Sequence, residues 1–256
     1  MSASLPHALA VWRRNASMYR RSWWLNLLPN FFEPVLYLVS IGVGLGAYIS
    51  TMGGTSYAAF LAPGLVCVAA MNGASYEVTY NVFLRLNLEK QYDAMLTTPV
   101  QPDDVLLGET LWAVTRATIY GVCFFTVVMC VGLAPLPGAL LALPVIPLAG
   151  LLFAAIGLVF SLHILTIELF SFYFTLFLSP LFLFSGVFFP LDERLSGAWL
   201  WLAEALPLLH PVRLARAAFG HGANPVTVLW DIAYILIISA LLLAWARRAV
   251  DRRLVS

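Results

Sequence analysis

Long apolar runs separated by short polar connections fill most of this chain: Leu27 to Ile49, Tyr57 to Val82, Val105 to Leu133, Ala139 to Leu162, Ile167 to Phe189 and Val226 to Trp245. Crossing roughly 30 Å of hydrocarbon as a helix takes about 20 residues, and each run supplies them. Lipid offers no partner for backbone polar groups, so the pattern predicts an all-α membrane protein with six transmembrane helices. The stretch before the first run is patterned differently. Wound at about 100° per residue, Arg13, Arg14, Arg20 and Arg21 share one side of a helix with Ser17, while Leu5, Ala8, Val11, Trp12, Met18, Tyr19 and Trp23 share the other. A basic face opposite an aromatic one predicts that residues 1–24 form an amphipathic interfacial helix, apolar side down on an anionic leaflet. The following run is too long for a signal-peptide core, so no removed targeting peptide is expected.

One stretch is apolar but too short to cross. Within LSGAWLWLAEALPLLHPV, the part from Leu195 to Leu206 would reach only roughly 18 Å as a helix, and Glu204 and Pro207 interrupt it. Residues 190–225 are expected to form an outer re-entrant helical hairpin capping the transport path, or else a plain outer loop with Trp199 and Trp201 in an aromatic belt.

Composition strengthens the membrane reading. Hydrophobic residues make up 61% of the chain and charged ones 11%, against about 45–50% and about 25% in soluble domains. Little remains for a soluble module, and residues 1–256 are read as a single transmembrane domain. Net charge is +1, and its distribution says more than its sum. Four arginines precede the first span, Arg85 and Lys90 lie between the second and third, and Arg247, Arg248, Arg252 and Arg253 follow the last, whereas Ser50 to Ser56 and Ala134 to Gly138 carry no charge. Positive residues favour the cytoplasmic side, so both termini are expected there. Cys67, Cys123 and Cys130 lie in apolar runs and suggest no disulfide framework.

A nucleotide-hydrolysing P-loop needs a glycine-rich turn before its lysine, and Lys90, the only lysine, has none. His163 and Glu168 lack the spacing of a metal site, and His7, His210 and His221 lie in other segments, so neither a metal nor an enzyme activity is expected. Ionisable groups within the spans are functional candidates by default. Glu33 and Glu77 lie about 12 Å and Arg116 about 18 Å in from the inner ends of their helices. Glu109 shares nearly one face with Arg116, which can reach back toward it or toward the other two carboxylates. Three readings stay open: an ion-pair cluster holding helices in register, a polar wall of a substrate path, or a proton relay. Asn72, Tyr76 and Thr79 form a stripe fit for a cavity or for interhelical hydrogen bonds. Gly42, Gly44, Gly46, Gly150, Ala154 and Gly157 permit close helix packing.

Between the second and third spans, residues 85–104 mix charges with Leu86, Leu88, Met95 and Leu96, which suits a short amphipathic helix ending before Pro99. Pro102, Asp103 and Asp104 then suit the start of the next helix. YDAMLTTPV followed by DDVLLGE resembles the cytoplasmic loop of the type-2 ABC transporter permeases, and FSGVFFPLD and ALPLLHPVRLARAAF resemble that family's segment at and after the fifth span. LAVWRRN, YAAFLAPGL and LPLLHPVRLAR are most similar to the family's nodulation-factor exporter branch. His210 stands where many of these permeases have asparagine.

The resemblance implies a permease subunit of an ATP-driven exporter in the bacterial inner membrane. Its partners would be two copies of a separate ABC ATPase and a second copy of itself, with no nucleic acid and no cofactor of its own, since ATP and Mg belong to the ATPase. It also implies that Glu89, Asp93, Leu96 and Pro99 dock on that ATPase. The cargo would be an amphiphile such as a lipo-oligosaccharide, with Glu33, Asn72, Tyr76 and Arg116 bordering its path. The rival reading is a proton-coupled secondary transporter using Glu33, Glu77 and Glu109; no clear internal repeat supports it.

Overall fold

A computed structural model of the chain describes residues 4–49, 51–52, 54–134, 138–191, 197–220, 222 and 224–254. Residues 192–196 of the expected outer hairpin, and the side chain of Trp199, lie outside what is described. The helices are α1 (Leu5–Gly44), α2 (Tyr57–Leu88), α3 (Gln91–Leu96), α4 (Pro102–Cys130), α5 (Val145–His163), α6 (Ile167–Phe184), α7 (Ala198–Glu204), α8 (Leu209–Ala218) and α9 (Pro225–Leu254). The one extended pairing among the described residues is an isolated bridge between Met52 and Thr55. Helices α2, α4, α6 and α9, with α5 and the turn before it, are long and apolar enough to cross a membrane, which makes five such helices among the described residues. The apolar part of α1, Phe32–Ala47, is shorter than these.

The expected interfacial helix and first span are one continuous helix, α1. Pro29 and Pro34 interrupt its hydrogen-bond ladder, because proline has no N–H to donate. Part of the side expected to rest on lipid is covered by protein instead. Ala8, Val11 and Asn15 are buried against α4, where Gly108 leaves a groove so close that an added Cβ would lie 2.6 Å from the Val11 Cβ and 2.8 Å from the Ala8 carbonyl oxygen. Trp12 donates its indole N–H to the Thr115 hydroxyl at 3.0 Å, and the Trp12 and Tyr19 rings meet Trp112 edge-on at 6.4 and 5.5 Å. Leu5, Met18 and Trp23 stay exposed, as expected of a lipid-facing side.

Helix α2 is the axis of the bundle: 89% of its most apolar window is buried, against 22% in α6 and 17% in α9. It continues past the expected end at Val82 to Leu88 through two π-helical stretches, Glu77–Asn81 and Leu84–Leu88. Arg85 therefore sits on a helix and not in a loop. Lys90, at φ 47° in the left-handed region, breaks the helix, and α3 follows. The expected amphipathic helix is present, closed by the Thr97 and Thr98 hydroxyls donating to the Ala94 and Met95 carbonyls at 2.8 and 2.6 Å. Pro102 opens α4 behind a capping box between Gln101 and Asp104. Among the small residues, a Cβ added at Gly150 of α5 would lie 2.5 Å from the Ala117 Cβ of α4, whereas Gly44 and Gly46 face open space.

Both chain ends gather at the start of α4. The Ser4 amide donates to Asp104 at 2.5 Å, and Arg247 near the end of α9 grips Asp103 through two bonds of 2.7 Å. The opposite end of the bundle is tied by Tyr57, whose hydroxyl donates to the Phe188 carbonyl at 3.1 Å, and by Arg216, which lies 3.9 Å over the Phe60 ring. Two short helices, α7 and α8, lie there, and α8 buries Leu209, His210, Pro211, Val212, Leu214 and Ala215.

Gly108→Leu should overpack the α1–α4 groove and destabilise the protein by about 1–3 kcal/mol, seen as a lower melting temperature in detergent. Gly44→Ala, which meets nothing within 4 Å, should leave it unchanged.

Candidate functional site

Beneath α3, side chains from α1, α2 and α4 converge on a cavity of about 170 Å³, lined among others by Asn15, Tyr19, Glu77, Arg85, Trp112 and Arg116. Glu77 is the centre. One of its oxygens accepts from Arg85 at 2.6 Å, and the other accepts from Arg116 and, at 2.6 Å, from the Asn81 amide. Arg85 reaches on to Glu109 at 2.6 Å, and Arg116 donates to the Tyr120 hydroxyl at 2.5 Å while lying 5.2 Å from the Tyr19 ring centre. All four charged groups are buried. Two guanidinium groups thus balance two carboxylates along a chain from the α3 end into the bundle, and pairing is what makes such burial tolerable.

Helix α3 joins this chain through Tyr92, the one aromatic residue of the 85–104 segment. Tyr92 is 3% exposed and sits in the main apolar core, so α3 is anchored there and not merely tethered. Burial pushes its phenol well above the ordinary range and keeps it a hydrogen-bond donor. Its hydroxyl and the Asn15 amide stand beside Glu109, yet neither closes a bond, and one Glu109 oxygen is left unpartnered. A small displacement of α3 or α1 would close or open those bonds. On the outside of the segment, Arg14 bonds the Gln91 side chain, which in turn bonds Glu89.

Of the residues expected to dock a partner, Glu89, Asp93 and Pro99 are exposed and Leu96 is half-buried, all on the outer side of the anchored segment. The residues expected along a substrate path divide. Asn72 donates to Glu33 at 3.3 Å, and Tyr76 stacks on Phe174 at 4.6 Å. Arg116 does not join them. It turns to Glu77, and Glu109 is taken by Arg85 in its place. Arg85 is the residue that sequence reasoning missed, having been counted only as a loop charge. The signal was present, because Glu77, Asn81 and Arg85 recur every four residues along one helical stripe.

A second polar cluster lies at the far end, and the sequence reading missed its key member, Asp231. An aspartate inside the last apolar run was the available signal. Arg213 spends four of its five N–H donors on Asp231 and Glu204, at 2.5 to 3.2 Å. His210 is fully buried and directs one ring nitrogen at Asp231, 2.8 Å away, and the other at the Glu204 carbonyl, 3.0 Å away. Both partners can accept a hydrogen bond, so the ring is held from two sides. Arg213 holds the Glu204 carboxyl below the ordinary carboxylate range, chiefly through its hydrogen bonds.

A bundle of apolar helices, with one polar helix held at a single end and connected to buried charges, is the membrane part of a transport system. The chain belongs to the ABC-2 type transporter family, which it matches over residues 7–219, and it is an ABC-type transport permease. It is 38% identical over 208 residues to nodulation protein J of Rhizobium leguminosarum bv. trifolii, covering 81% of this chain and 79% of that one. The protein of the same name from Rhizobium meliloti (strain 1021) is 36% identical over 208 residues, 81% of this chain and 79% of that one. The inner membrane transport permease YadH of Escherichia coli (strain K12) is 24% identical over 243 residues, with 93% and 92% covered.

Arg85→Met strands Glu109 without its cation and should destabilise the protein by about 3–5 kcal/mol. The double variant Arg85→Met/Glu109→Gln should recover part of this, giving a coupling of about 0.5–3 kcal/mol in a denaturant-unfolding cycle. At the far end, a carboxylate with a depressed folded-state pKa stabilises fully above its unfolded value of about 4.3 and loses that contribution as pH falls through the folded value. Protection factors of the α7 and α8 amides, which remove the intrinsic pH dependence of exchange, should therefore be constant from neutrality to about pH 5 and fall below about pH 4, and Glu204→Gln should remove the acid-dependent step.

Proposed function

We propose that the chain is the membrane-spanning subunit of an ATP-driven exporter of amphiphilic, lipid-linked or oligosaccharide-type molecules, lipo-oligosaccharides foremost, across the bacterial inner membrane. The observation that carries this reading is α3, which exposes Asp93 and buries Tyr92 beside the ion-pair chain. A segment anchored in that way passes a push from outside to the bundle. Without a P-loop of its own, the chain draws that push from a separate ABC ATPase. Two copies of the ATPase serve a permease homodimer, because one bundle encloses little volume for a large cargo. Cargo enters between protomers, along the face where Glu33, Asn72 and Tyr76 meet.

Six crossings with both termini cytoplasmic accord with the packing. The α1 start, the α4 start and the α9 end share one end of the bundle, and α1 makes the sixth crossing beyond its prolines. Helices α7 and α8 re-enter the outer leaflet as a hairpin. A proton-driven mechanism is disfavoured because Glu77 and Glu109, two of its three carboxylates, are committed to arginines.

Asp93→Arg and Leu96→Asp should each leave the melting temperature of the purified permease near wild type while ATP hydrolysis by the co-purified ATPase no longer drives export into vesicles. Wild-type export by both variants would overturn the assignment, as would transport by the isolated chain without nucleotide.

A further inference from the structure

At the far end, between the hairpin and the start of α9, lies an open pocket of about 750 Å³ lined by Gly197, Trp201, Glu204, Arg213, Thr227 and Trp230, with Val226 beside them. Its two indoles are unusually bare: Trp201 is 80% exposed and Trp230 58%. Its polar side is rigid, because Glu204 and Arg213 are fixed to each other and to the buried pair Asp231 and His210. We infer that this pocket binds an uncharged, hydroxyl-rich head group, the sugar part of an amphiphile, as it reaches the outer side of the membrane. The inference rests on the proposed cargo class and adds the site that receives it.

Charge decides between a sugar and a lipid phosphate. An anion-binding pocket needs a cation to spare, and among the described residues lining this one there is none. Arg213 already faces two carboxylates, and His210 is buried behind it against Asp231. A phosphate would have to displace Glu204 from its arginine, whereas a sugar displaces nothing. Each Glu204 oxygen accepts one arginine N–H and keeps a lone pair for a hydroxyl. The apolar C–H face of a pyranose lies on an indole plane, burying surface on a side chain of low conformational entropy. A few fixed polar groups in a mainly apolar concavity are what orient a small ligand.

The test uses the full chain in lipid nanodiscs with 5-fluorotryptophan at all eight tryptophans. Chitotetraose and maltotetraose are the sugar probes, glycerol 3-phosphate is the head-group probe, and spectra are recorded by fluorine NMR. At least one of the sugars, at millimolar concentration, should shift the Trp201 and Trp230 resonances and leave the other six in place. The Trp201→Ala/Trp230→Ala variant should weaken that sugar's binding, read by saturation transfer, at least tenfold, with Trp→Phe at both sites restoring part of it. Glycerol 3-phosphate should not compete.

No shift with either sugar would overturn the inference, as would unchanged affinity in the alanine variant, which would leave the indoles as membrane anchors only. Competition by glycerol 3-phosphate at equal affinity would mark a lipid head-group site instead. Any of these results, obtained while Asp93→Arg still uncouples export, would remove the sugar site and leave the permease assignment standing.

Discussion

An ionised side chain cannot stay in hydrocarbon without a partner, and four of them hold one end of this bundle together. Glu77, Arg85, Glu109 and Arg116 come from two helices and form one continuous chain of opposite charges. Each link satisfies a group that would otherwise carry a solvation penalty of several kcal/mol. The helices on which they lie are therefore set in register by charge as well as by shape. Close backbone approach does the complementary work, as at Gly108 under α1 and Gly150 against α4.

That arrangement explains why a polar segment can be useful in so oily a protein. Tyr92 is buried in apolar core while its neighbour Asp93 faces outward. Next to it, Glu109 keeps one oxygen unpartnered, with two donors close by. Such slack is uncommon in a buried network. At the opposite end the polar groups are knit differently. Arg213, Glu204, Asp231 and His210 satisfy one another, so the far end is held by a closed polar network where the end near α3 has an unpartnered oxygen.

Much of this was legible from apolar periodicity. The run boundaries near Tyr57, Leu133, Leu162 and Val226 fall close to helix ends, because membrane spans are fixed by length and hydropathy more than by tertiary context, while the last helix runs on past the expected end at Trp245 to Leu254. The α3 helix and the capped start of α4 followed from Pro99, Pro102, Asp103 and Asp104. What composition could not show was which surfaces meet. An amphipathic stripe reads alike whether it rests on lipid or on protein, so the docking of Val11 and Trp12 onto α4 was invisible, although Gly108 was the clue. Partner choice among intramembrane charges failed for a similar reason. Arg116 had several carboxylates within reach, and Arg85, expected in a loop, lies on the continuing helix α2 and takes both Glu77 and Glu109.

The two aspartates at the head of α4 hold a position out of proportion to their size. Asp104 takes the chain start through the Ser4 amide and His7, and Asp103 takes the far end of the chain through Arg247. The first and last long helices are thus moored to a single post, a few residues past α3. Tilting that post would haul both flanks of the bundle in one stroke, so its rim should behave as a drawstring and not as a pair of independent doors.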